Sequence, residues 1–391
     1  MQRSLMRITL FTLLVVVLSG CSWLTSNNNS EHFLRPDEFE KSPKKQWVNS
    51  SGSGNGRYLR LNPKLRDGEV ITTNSKGLVV AVDAEKGKNH WRKNTKLPIS
   101  TGPAVTATKI FFATDNGKLV ALEREAGVTL WEAELPNQVL GTPGLTDSQV
   151  IVKTIDDVLL AFDSDSGKEL WRYGVASPRL MLRESSAPAI SGAYVVAGFA
   201  NGQIAVLDAA EGTLVWQRQV AEASGFSDLE RMVGINADPL VSQGVVFVTT
   251  YQGKIAAFGV AKGELLWEHE LSAHAGLQLA GNQIIAPDSD GYLWSFDRYS
   301  GRVNWRQNGL KGRQLTQPVL VNGALVVADD KGFVYWLDPD DGHFSAWTFL
   351  SNDGVISAPI AAGDKVIIET RAGHLVALSA ESINQEQSSS T

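Results

Sequence analysis

A single cysteine in 391 residues leaves no partner for an intramolecular disulfide. Histidine is nearly as scarce. Six are scattered along the chain, and the nearest pair, His269 and His274, has no cysteine or acidic neighbour at metal-ligand spacing. The glycine-rich run Ser51-Gly-Ser-Gly-Asn-Gly56 lacks the Lys-Ser/Thr of a phosphate loop and a helix to follow it. No nucleophile stands beside a recognisable base. Positive charge is in deficit: the formal net charge is −6, and becomes −8 once Arg3 and Arg7 are removed with a leader. That balance argues against nucleic acid as a partner and against a surface held to anionic lipid by charge. Only one long apolar run exists, Ile8 to Leu18, and it is too short to span a bilayer as a mature helix.

Tryptophan, by contrast, is plentiful, with eleven residues. Most follow one unit, typified by Asp163-Ser-Asp-Ser-Gly167-Lys-Glu-Leu-Trp171. Asp and Ser satisfy local backbone groups, Gly supplies a positive φ, and Leu-Trp begins a half-buried strand. Copies of the turn end at Gly87, Gly127, Gly212, Gly263, Gly301 and Gly342 and lead to Trp91, Trp131, Trp216, Trp267, Trp305 and Trp347. The tryptophans lie 38 to 51 residues apart, the length of a propeller blade. Upstream of each turn come two apolar runs, and before these usually a proline. Four short strands per repeat result, which predicts an all-β propeller of four-stranded antiparallel blades. An eighth copy, Pro359 to Ser379, has no tryptophan strand after it, whereas Lys44-Lys-Gln-Trp47 has a strand and no blade. Pairing the two closes an eight-bladed ring and leaves no greasy edge exposed. The third strands often carry Ala at a fixed place (Ala81, Ala121, Ala161, Ala257, Ala377), small enough to suit packing against a bulky neighbour such as the tryptophan of an adjacent blade.

The chain therefore divides into a leader (1–20), a cysteine and polar tether (21–43), the propeller (44–380) and a polar tail (381–391). Leu18-Ser-Gly-Cys21 behind a short apolar run resembles a bacterial lipobox, which makes Cys21 the expected lipidated N-terminus. Acyl chains there anchor the protein stably. Ser22 after the cysteine fits the outer-membrane sorting pattern, so the expected location is the outer membrane, lipid-anchored and facing the periplasm. The tether spans roughly 25 Å on average and about 75 Å at full stretch.

Two connections exceed the rest: Arg172 to Ala187 and Ala221 to Asp238. Both join an outermost strand to the next blade's innermost strand, so both lie on one face and form adjacent parts of a ledge. Long loops in a compact domain are usually functional. The first holds Arg179-Leu180-Met181-Leu182-Arg183, and such a short alternating run fits either a binding patch or an apolar cover over the ring.

The Ala-x-Asp-x-x-x-Gly-x-x-x-Trp pattern resembles the repeat of pyrroloquinoline quinone (PQQ) enzymes, and so admits a quinoprotein dehydrogenase as the alternative to a non-catalytic scaffold. Typical alcohol dehydrogenases of that family place a disulfide-bonded cysteine pair over the cofactor, and no cysteine is left for one here. Lipobox, tether, eight blades and loops together resemble the BamB family, lipoproteins of the outer-membrane β-barrel assembly machinery. Leu180-x-Leu182-Arg183-x-x-Ser186-Ala187-Pro188 is similar to that family's loop implicated in contacting BamA. In the next loop the family can carry an Asp-x-Asp pair after an arginine; here Arg231 is followed by uncharged Gly234 and Asn236 at those places. The resemblance implies a scaffold with no cofactor, no metal and no reaction. It also implies binding to the POTRA domains of BamA, with nascent outer-membrane proteins as a further class of ligand.

Overall fold

The computed structural model describes residues 43–52, 59, 61–178, 180, 185–223, 226–227 and 231–379. The expected leader, Cys21, nearly all of the tether and the tail lie outside them. Among the described residues there is no helix. Eight four-stranded antiparallel sheets follow one another around a ring. In seven of them the strands lie in chain order, as in the third blade with Gly144–Leu145, Gln149–Lys153, Val158–Asp163 and Glu169–Gly174. The eighth joins Ile360–Ala362, Lys365–Glu369 and His374–Ser379 to the first strand of the chain, Lys45–Ser50.

The turn chemistry explains why each blade stops and reverses where it does. Asp83 Oδ1 accepts the N–H groups of Glu85 and Lys86 at 2.9 and 2.7 Å, and Gly87 N–H donates to Asp83 O at 2.8 Å. Gly87 has φ +68°, and a Cβ there would stand 2.4 Å from the Trp47 ring. Glycine is thus required twice, by backbone conformation and by the indole of the preceding blade lying on it. The indole N–H then donates to the carbonyl of the second residue of the next turn, the one after Asp83, Glu123 or Gly259: Trp47 to Ala84 at 3.1 Å, Trp91 to Arg124 at 2.8 Å, Trp216 to Val260 at 2.6 Å. Seven of the eight blades are thereby fastened to the next by one indole ring and one hydrogen bond.

Two expectations need correcting. The small third-strand residue faces the tryptophan of its own blade: Ala81 pairs with Trp91, Ala121 with Trp131, and Ala377 with Trp47. A bulge between third and fourth strands, at Ala81/Val82 and its equivalents, sets that register. Trp and Ala then form a large-small pair on the face turned to the next blade.

The second correction concerns blade seven. Gly342 precedes Trp347 by five residues where the other turns have four, so Ala346 takes the docking position. Its cross-strand partner is Trp336, and large and small have changed places. Trp336 is fully buried against Val366, Ile368, Val376 and Leu378 of the last blade. The chain after Ser379 reads Ala-Glu-Ser-Ile, without the Asp-x-x-x-Gly turn on which an outer-strand indole would rest. A ring projecting from the third strand fills the interface instead.

At the seam between last and first blades, Glu369 is buried and accepts hydrogen bonds from the Ser51 hydroxyl and, at 2.9 Å, from Thr72 Oγ1. Burial pushes its carboxyl from 4.5 up to about 7, against the downward pull of the two hydroxyls. The folded state therefore binds this proton more tightly than the unfolded chain between those values, and stability falls as pH rises through that window. Glu369→Gln should remove that slope and leave the variant on the order of 2–3 kcal/mol more stable than the parent at pH 8. Urea melts at pH 5 and pH 8 check this; an equal offset at both would show that ionisation is not the source.

Candidate partner-binding ledge

Connections between outermost and innermost strands emerge on the same face as the turns between second and third strands. Two of them are long, 175–188 and 220–239, bounded by strands Glu169–Gly174, Ala189–Ser191, Leu214–Gln219 and Leu240–Ser242. They follow one another around the ring, as the repeat spacing implies.

Leu180 is 48% exposed, so it does not cover the ring. Arg179, Leu182 and Arg183 lie outside the described residues. In the second connection Arg231 is exposed, whereas Gly234 and Asn236 are buried, Asn236 with 8% of its surface accessible. The cause is that 232–237 dips into the face: Met232, Val233, Ile235 and Ala237 are all buried. Ile235 N–H donates to Phe199 O at 3.0 Å and Gly234 O accepts Tyr251 N–H at 2.9 Å, so this stretch is tied to blades four and five. Asn236 lines a cavity of about 110 Å³ at the centre of this face, together with Asn62, Thr142, Asp238, His274 and Gln317. Phe226, fully exposed, was not among the candidates; an isolated aromatic in a polar loop gives no periodic signal.

The bases of the two connections share a buried lysine. Lys153, the last residue of its strand, donates to Ser186 Oγ at 2.9 Å and to Gly198 O. Burial holds its ammonium down at about 8, with Asp157 and Asp238 pulling the other way. Asp157, itself pushed up by burial, accepts from Ser177 Oγ at 3.3 Å and from Ala200 N–H at 3.0 Å. Ala187 N–H donates to Asp238 Oδ1 at 2.6 Å, joining the end of one connection to the end of the other. A cation at the end of the apolar run Val150-Ile-Val-Lys153 was the one sequence signal for this cluster.

Among the described residues no group of three or more His, Cys, Asp or Glu is placed to hold a metal ion. His269 Nδ1 lies 2.9 Å from Glu270 O, and its ring packs edge-on to Phe296 with centroids 5.3 Å apart.

Seven interfaces docked by tryptophan on glycine, an eighth filled by Trp336, and a ring closed by its own N-terminal strand define an eight-bladed propeller of the PQQ-repeat class. A family model described as "Outer membrane protein assembly factor BamB" matches residues 75–307 and 308–386. The chain belongs to the BamB family. It is 46% identical over 333 residues to the outer membrane protein assembly factor BamB of Alkalilimnicola ehrlichii, covering 85% of this chain and 87% of that one. The crystal structure of BamB from Moraxella catarrhalis superposes with a TM-score of 0.76 at 24% identity, over 85% of this chain and all of that one. The quinohemoprotein alcohol dehydrogenase of Comamonas testosteroni superposes with a TM-score of 0.70 at 12% identity, over 87% of this chain and 77% of that enzyme. At such identities the two superpositions establish the fold alone.

Proposed function

We propose that this chain is a non-catalytic assembly factor for outer-membrane β-barrel proteins, docking the POTRA domains of BamA on the ledge. The observation that carries this is the exposure of Leu180, Phe226 and Arg231 on two neighbouring loops whose bases are fixed. An apolar side chain, an aromatic and a planar guanidinium are the residue types that anchor interfaces. The relatives' names, outer membrane protein assembly factor, support the assembly role. Arg179, Leu182 and Arg183, from the same run of sequence as Leu180, are assigned to partner binding in this proposal. Gly234 and Asn236 act from beneath, shaping the second loop rather than touching the partner. Cys21 carries lipid and holds the propeller at the outer membrane, facing the periplasm; acyl labelling that persists in Cys21→Ser would sink this part.

The ledge itself is tested by replacing Leu180, Leu182 and Arg183 together with alanine. Truncating a hot spot costs about 2 kcal/mol or more, so affinity for purified POTRA domains should fall at least roughly thirtyfold while the melt stays near native. Parental affinity in a well-folded triple variant rules the ledge out as the main contact.

A further inference from the structure

Three elements that are distant in sequence meet at Gly198 in blade four. Lys153 reaches its carbonyl from blade three, and Ser186 arrives from the end of the first connection. From the other side comes Ile235 of the second connection; a Cβ on Gly198 would stand 2.2 Å from Ile235 Cγ2, so a side chain there would displace that loop. The first connection is gripped at both ends by the turn and strand end of blade three: Asp157 takes Ser177 near its start, and Lys153 takes Ser186 near its finish. Ala187 then holds Asp238, so the grip passes to the second connection.

We propose that Lys153 is a positioning residue for partner binding. Its ammonium touches no partner. It holds Ser186, and through Ala187 and Asp238 it sets the exit of one loop against the end of the other, so that the exposed side chains of both meet a partner in one arrangement. Fixing a loop beforehand removes an ordering cost that would otherwise be met on association. A lysine serves because one ammonium can donate to a hydroxyl and a carbonyl at once while answering two carboxylates. This inference rests on the ledge being the partner-binding surface.

The test uses full-length protein and purified BamA POTRA domains. Lys153→Met keeps the length and apolar stem and removes the charge and the donors. Ser186→Ala removes one acceptor without altering charge, and carries the decision should the methionine variant fail to fold. Both should lose at least about tenfold in affinity. Their cooperative melts should be retained, and amide exchange should quicken at Ala187, whose N–H is the joint between the loops.

The pH profile separates positioning from general stability. The charged groups facing Lys153 are Asp157 from its own blade and Asp238 from the second connection; Ser186, Gly198 and the Phe199 ring, 5.7 Å from Nζ, are neutral. As pH rises past about 8 the ammonium loses its proton and affinity should fall, while the methionine variant stays flat. Over the same range this lysine's contribution to stability moves the other way. Its depressed folded value means that the unfolded chain binds more protons, so stability rises between about 8 and 10.5. Opposite trends in affinity and melting support positioning. Parental affinity in both variants, with the triple alanine variant of the ledge still defective, overturns the role of Lys153 and leaves the ledge standing. Parental affinity in the triple variant overturns the ledge, and the role of Lys153 with it.

Discussion

Deleting Lys44 to Ser50 is expected to unseat the last blade and lower the melting temperature of the whole ring. Trp47 pairs with Ala377, lies on Gly87 and donates to Ala84 O, so this one strand holds both the outer edge of the last blade and its interface with the first. Asn49 adds a 2.7 Å hydrogen bond to Gly87 O, and Ser51 N–H donates to Gly373 O at 2.8 Å. Its removal uncovers Val70, Val80, Ile367 and Leu375, which are buried at the seam. The half-buried indole puts Trp47→Ala at the lower end of the aromatic truncation range, about 3 kcal/mol. At about 2.1 cal/mol/K of unfolding entropy per residue, that corresponds to about 4 °C in a domain of this size, and the full deletion should exceed it. Thermal melts followed by circular dichroism decide the matter, and an unchanged midpoint in the deleted chain would show that the strand does not close the ring.

The exchange of large and small residues in blade seven has the second large consequence. Trp336 is fully buried and Trp347 only half-buried. Trp336→Ala opens a cavity between blades seven and eight and should cost about 3–5 kcal/mol. Trp347→Ala should cost at least about 2 kcal/mol less, because its ring packs on Phe333 at 5.6 Å near the outer edge rather than in the seam. Repeat spacing alone would rank them the other way. Denaturant unfolding of the two single variants distinguishes the orders, and equal losses would contradict the exchange.

The contrast shows what could be foreseen from residues and what could not. Blade number, strand order and ring closure were legible because Asp-x-x-x-Gly and the following Trp are local chemistry repeated at a fixed interval. The extra residue between Gly342 and Trp347 was also visible, but its meaning was not. One added residue in a strand turns every later side chain to the opposite face, and which side chain then fills the seam depends on the neighbouring blade. Ala81 and its equivalents were recognised as making room, yet a bulge three-dimensionally fixes for whom, and a bulge leaves no mark in composition. The ledge was legible as length, since two connections outgrew the rest. Its interior was not. Loops lack a period, so nothing in Gly234 or Asn236 announced burial, and nothing in Ser186 announced a lysine 33 residues earlier in the chain.

The closing strand also orders events in time. Elsewhere a strand pairs with one made a few residues before it, but Lys44 N–H finds Ser379 Oγ across 335 residues. The first strand of the ring to be synthesised thus waits for the last. Its loop-closure entropy is the largest in the molecule, and contacts of such separation form late. A chain arriving N-terminus first holds its finished blades as an open stack until almost all of it has been delivered. Completeness of the polypeptide is in this way a condition of the circle.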